Sequence, residues 1–233
     1  MSDDADDVED ITSICGGLNI NIGTLNKNTI PSMFLAGKKA NELGHIVLLD
    51  PVGAGASRLR TDTANRLMQE VRFDAVRGNI SEIKTLCTGS GSTKGVDADA
   101  VDAVTEANLD DGVQLVKTFA QRAGCIVAVT GAIDLVSDGE RCWCIRNGRA
   151  EMSRITGTGC QLSALMTAFL VANPDHKLAA AAAAVCMMGL AGEIGWANMQ
   201  PGDGNSTYRN RIIDAIFNMT GDALEKGAKY ELR

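Results

Sequence analysis

The chain has 233 residues, 45% hydrophobic and 22% charged, with a formal charge of -7 and a pI near 4.9. A chain of that length can bury roughly 70% of its unfolded surface in one domain, and the acidic balance excludes a non-specific polyanion binder, which needs clustered cations to displace counterions. Only 4% of residues are aromatic, so the core must rest on aliphatic side chains and alanine.

The opening MSDDADDVED is acidic, unlike a secretory signal, and reads as the solvated start of a short helix. From Leu18, apolar runs alternate with helix-like segments. LNINIG precedes a helix over Pro31–Leu43, HIVLLD at His45 precedes one over Arg60–Val71, and DAVRGN at Asp74 precedes one over Ser81–Leu86. A further helix over Asp111–Ala123 leads into CIVAVTG at Cys125. Gly44 and Gly124 stand where a helix ends in a left-handed residue. This alternation predicts an α/β fold with a mostly parallel sheet flanked by helices. The glycine-rich, polar stretch from Thr88 reads as a surface excursion.

DLVSDGERCWCI places Asp-Gly between two alternating segments, a hairpin signal. Beyond Ile145 the pattern is helical to the end, with helices over Cys160–Ala172, Leu178–Glu193 and Thr207–Met219. The longest apolar run, LAAAAAAVCMMGLAG from Leu178, is short and alanine-rich for a membrane span of roughly 20 residues and reads as a buried helix. The seven cysteines form an odd set without a CxxC pair, which argues against a disulfide framework or zinc ribbon and for a reducing, cytoplasmic setting.

Ligands of open parallel sheets gather beyond the carboxyl ends of the strands. Asp50 follows IVLL, Arg77 and Asn79 follow DAV, and Thr130 follows IVAV, so separate strands deliver polar residues to one edge. Singly, Asp50 reads equally well as a turn residue, Arg77 as a surface ion pair and Thr130 as a strand-end cap. DPVGAGAS has the GxG of a dinucleotide fingerprint, but Arg58 stands where the third small residue belongs, so its glycines better suit a ligand or metal beside Asp50. In RGNISEI, Asn79 and Glu82 lie three apart. They form either a helix cap or, with Asp50 and substrate phosphates, a magnesium site. ITGTGC opens a helix whose first N–H groups and dipole favour an anion. Cys160 sits at that tip, where a thiol's pKa is drawn down from about 8.5 and the sulfur can accept a proton; the alternative is a small buried hydrophobe. Cys142 and Cys144 share one face of a strand and read as core.

With NIGTL at Asn21, AGKKANELG at Ala36, LLDPVGAGASRLRT at Leu48, VRGNISEI at Val76, KGVDA at Lys94, VAVTGAIDLVSDG at Val127, ITGTGCQLSAL at Ile155 and MGLAGE at Met188, the chain resembles the hydroxyethylthiazole kinases. The resemblance covers nearly the whole chain. It implies a single ribokinase-like domain over residues 1–233, a three-layer sandwich that phosphorylates the hydroxyl of 4-methyl-5-(2-hydroxyethyl)thiazole with ATP and Mg2+ in thiamine synthesis or salvage. It also implies Cys160 as base in place of the superfamily's aspartate, Arg77 and Thr130 on ATP, Met1 and Gly157 on the thiazole, and Asp50 and Glu82 on the magnesium side. A homotrimer binding only small molecules, with no nucleic acid or membrane partner, is expected on the same ground. Family members carry a strand, helix and strand before the methionine that aligns with Met1, so N-terminal strands of the sheet are expected to be missing, and a short insertion is expected after Thr88. Two other readings remain: a non-catalytic fragment that binds only nucleotide or subunits, and a related hydroxymethylpyrimidine or pyridoxal kinase.

Overall fold

The computed structural model describes residues 3–88 and 103–233. A short helix α1 (Val8–Ser13) leads into strand β1 (Gly17–Asn21). There follow α2 (Thr29–Leu43), β2 (Ile46–Asp50), α3 (Arg58–Glu70), β3 (Ala75–Asn79), α4 (Ile80–Thr88), α5 (Leu109–Ala123) and β4 (Ile126–Thr130). Strands β1 to β4 pair in parallel in chain order, and a helical crossover joins each to the next, as parallel pairing requires. Helices α2 and α5 stop where the glycines predict, at Gly44 with φ 69° and Gly124 with φ 64°. The expected excursion and insertion after Thr88 fall mainly in residues 89–102, outside the described residues.

The predicted hairpin forms as β5 (Asp134–Ser137) and β6 (Cys142–Ile145), antiparallel to each other, with Gly139 at φ 100° in the turn. Next come α6 (Thr158–Ala172), α7 (Lys177–Ala197), α8 (Asn205–Asn218), α9 (Gly221–Gly227) and a last strand, β7 (Tyr230–Leu232). The expectation of helix to the end is corrected here. Strand β7 pairs antiparallel with β6, and Cys142 and Arg233 exchange both backbone hydrogen bonds, at 2.7 and 2.8 Å. Three residues are too few to show a periodicity of two, and the open edge of β6 supplies what the local pattern lacks. Among the described residues the sheet thus has seven strands in chain order, with β1 and β7 at its edges.

Successive side chains of a strand point to opposite faces, and both faces are covered. Val47 and Leu49 join Phe34, Leu67, Ile83 and Val116 of α2 to α5 in one core. Leu48, Ala75 and Ala128 join Met166, Leu170, Ala181 and Ile212 of α6 to α8 in the other. This is the expected three-layer sandwich. Helix α7 runs longer than its apolar run suggests. The segment Pro174–Ala197 is long and apolar enough to cross a membrane, but 72% of its most apolar window is buried in the fold, as in a core helix. All seven cysteines are free, and Cys142, Cys144 and Cys186 are buried.

Candidate active site

Asn21, Asp50, Asn79 and Thr130 are the last residues of β1, β2, β3 and β4. The parallel register sets Asn21 beside Asp50 and Asn79 beside Thr130, so one sheet edge carries a row of polar side chains. Arg77, two residues back on β3, reaches into the row. Its Nη2 donates to Thr130 Oγ1 at 2.6 Å, and its Nη1 lies 3.7 Å from Asp50 Oδ1. With its side chain only 11% exposed, Arg77 is not the surface ion pair that was one alternative.

Asp50 is fully buried. Its Oδ2 accepts hydrogen bonds from Asn21 Nδ2 at 2.9 Å and Ser163 Oγ at 2.8 Å, while Oδ1 has no hydrogen-bond partner. Burial raises its pKa, and Arg77, Ser163 and Asn21 act in the opposite direction. Glu82 realises the capping alternative. The Glu82 N–H donates to Asn79 Oδ1 at 2.9 Å, and the Asn79 N–H donates to Glu82 Oε2 at 2.8 Å. Its Oε1 accepts from the Gly53 N–H at 2.7 Å, so Glu82 also anchors the loop after β2. Burial pushes its carboxyl up to about 7 against the pull of those N–H groups. Gly53 and Gly55 turn that loop at φ 74° and 91°. Arg60, at the start of α3, ties it to the loop after β1: Nη1 donates to the carbonyls of Ile22 and Val52, both at 2.8 Å, and Nη2 to that of Gly23 at 2.9 Å.

Gly157 starts α6 at φ 94° with no side-chain cap, which leaves the first-turn N–H groups for a ligand. Cys160 in that turn is exposed, which overturns the buried-hydrophobe alternative, and its Sγ accepts a hydrogen bond from Asn21 Nδ2 at 3.1 Å. Gly159 lies directly on Arg77: a Cβ there would fall 2.5 Å from Nη1. Arg77, Thr130, Asp50, Glu82, Gly157 and Cys160 all line one cavity of about 840 Å³. Met152, Val185 and Met188 add apolar surface to its lining, as Asn147 adds a polar side chain. Asn147 accepts from the Lys229 N–H at 2.7 Å and donates to the Gly227 carbonyl at 2.9 Å, which ties the segment before β7 to a residue of the cavity wall. Of the residues expected at the site, Met1 alone lies outside the described residues.

Asn21, Ser163 and Arg60 escape the sequence reading. Asn21 carried a usable signal, since it ends its strand as Asp50 ends the next, and Ser163 stands one helical turn after Cys160. Arg60 carried none, because its partners are backbone carbonyls. Asp134, also on the cavity, accepts from the Gly131 N–H at 2.8 Å, and burial pushes its carboxyl up to about 7. Among the described residues no three His, Cys, Asp or Glu side chains gather as a closed metal cage. Asp50 Oδ1, which accepts no hydrogen bond, and a second buried carboxylate on the same cavity fit a hydrated divalent cation that also takes phosphate oxygens.

The Hydroxyethylthiazole kinase family model matches residues 1–222. A hydroxyethylthiazole kinase of Clostridium acetobutylicum is 54% identical over 231 residues, 99% of this chain and 85% of the relative. One from Clostridium beijerinckii is 46% identical over 99% of this chain and 82% of the relative. The solved hydroxyethylthiazole kinase structure from Pyrococcus horikoshii superposes with a TM-score of 0.86 at 29% identity, over 100% of this chain and 83% of that one. A pyridoxal kinase of Staphylococcus aureus, solved with ADP, superposes at 0.61 with 18% identity over 97% of this chain and 76% of that one, and shares the ribokinase-like fold.

Proposed function

The chain belongs to the hydroxyethylthiazole kinase family, and from that premise we propose that it transfers the γ-phosphoryl group of ATP to the hydroxyl of 4-methyl-5-(2-hydroxyethyl)thiazole, a step of thiamine synthesis or salvage. One observation carries the reading: an exposed thiol at an uncapped helix start shares a cavity, and a bridging amide, with a buried carboxylate.

In this reading the alcohol lies by Gly157 and Cys160. Its oxygen forms the new bond to the γ-phosphorus as the bond to the β–γ bridging oxygen breaks, its proton passes to Cys160 Sγ, and ADP carries away the electron pair. The first-turn N–H groups of α6 and the Arg77 guanidinium, steadied by Thr130, face the phosphates and offset their charge. Such transfers depend on positioning and electrostatics, so a modest base suffices. The apolar side chains of Met152 and Met188 on the cavity wall take the nucleotide base. Asp50 and Glu82 would hold Mg2+, which would draw charge from the phosphate oxygens.

Incubating the purified chain with Mg2+, ATP and the thiazole alcohol and weighing the product tests this. A phosphomonoester is expected. ADP released only with pyridoxal or hydroxymethylpyrimidine overturns the substrate, and no turnover with any alcohol overturns the enzyme. Two lesser proposals accompany it. The seven free cysteines support a cytoplasmic location, and the exposed Ile213 and Phe217 on one face of α8 support the homotrimer, to be checked by light scattering.

A further inference from the structure

We infer that Asn21 is a positioning residue of the transfer step, an assignment that rests on the reading of Cys160 as proton acceptor. Its carboxamide nitrogen has two hydrogens and two acceptors, Asp50 Oδ2 at 2.9 Å and Cys160 Sγ at 3.1 Å. The other end of the amide accepts from the Gly23 N–H at 2.8 Å. A backbone N–H only donates and an ionised carboxylate only accepts, so both ends agree on which atom is nitrogen, and the amide has one satisfied orientation. The turn that sets it is held in its own right, because Arg60 takes the carbonyls of Ile22 and Gly23 together with that of Val52 from the neighbouring loop.

Ser163 closes the circuit. Its hydroxyl donates to the same Asp50 Oδ2 at 2.8 Å from a position three residues after Cys160 on α6. Asp50, Asn21, the sulfur and one rigid helical turn therefore form a ring. In that ring Oδ2 is fully occupied, Oδ1 is left toward Arg77, and the sulfur keeps a lone pair for a proton arriving from the cavity. Asn21 neither gains nor loses a proton. It sets the distance between the group that receives the alcohol proton and the carboxylate on the phosphate side. A side chain that only stabilised the fold would have no reason to divide its two hydrogens between those two atoms.

The test uses the full chain with Asn21→Ala, Asn21→Asp and Cys160→Ala. Both Asn21 variants are expected to lower kcat about 10- to 100-fold while leaving KM for ATP within about twofold. Asn21→Asp matches the shape but puts an acceptor where two donors are needed, so it rescues nothing. Independently of turnover, the Asn21 side-chain NH2 resonances, identified by their loss in Asn21→Asp, should shift in Cys160→Ala. A kcat within about twofold of the parent in both variants, or NH2 resonances unmoved by Cys160→Ala, overturns the assignment. If the parent makes no phosphomonoester, the functional reading falls, and the resonances still decide whether amide and sulfur are joined.

Discussion

At the scale of single residues, the sharpest expectation concerns Cys160. A carboxylate at that position would accept the same Asn21 N–H and be ionised at neutral pH, so Cys160→Asp should keep or raise kcat. Glu82→Gln should lower kcat about 100-fold, because its new NH2 group meets the N–H of Gly53 or Asn79, spoiling both the loop and the cation side. Steady-state kinetics on the two variants checks both outcomes. Gly159→Ala drives a methyl into the Arg77 guanidinium, so it should weaken ATP binding in calorimetry by about tenfold or more. Asp134 makes a prediction about stability. Its folded pKa of about 7 lies above the unfolded value, so the native state binds the proton more tightly, and stability falls as pH rises between them. The urea midpoint of the parent should therefore lose ground to that of Asp134→Asn as pH rises from about 4 to about 7. Much of this was legible beforehand. Asp50, Arg77 and Thr130 follow apolar runs, and strand ends of a parallel sheet converge. The division of labour at Glu82 was not legible, since NxxE spells a helix cap and a metal site alike, and here the same carboxylate makes the cap and lines the cavity.

At the scale of elements, starts and stops followed local chemistry wherever that chemistry was strong. Helix α3 begins after Ser57, whose Oγ accepts from the Arg60 N–H at 3.3 Å. Ser57→Ala should cost about 1 kcal/mol in denaturant unfolding, and it should also loosen the start of the helix that aims Arg60. Gly44 and Gly124 closed their helices as expected, and the Asp-Gly hairpin formed in place. Strand β7 was missed because three residues pair only where a neighbour offers an open edge, a fact of tertiary structure that no window around Tyr230 contains. Helix α7 runs past its expected end at Glu193 to Ala197. Within it, Gly189 and Gly192 stand where Asn147 and Met152 press onto its surface.

At the scale of the whole molecule, one sheet separates two cores and belongs to both, so the described residues should melt as one cooperative unit. Leu67→Ala on one side and Leu170→Ala on the other should each cost about 2–5 kcal/mol and lower a single calorimetric transition, whereas two separating transitions would show two independent units. The alternation of runs made the layers legible in advance, because Val47 and Leu48 must face opposite ways on any strand. The placing of Cys160 and Ser163 on the same turn of α6 has a longer reach. Their spacing is a property of a helix and not of a loop, so substitutions in the cavity wall away from α6 leave the proposed proton acceptor where it is. A lineage that holds α6 constant can thus explore new alcohols by altering its doorway while inheriting its chemistry intact.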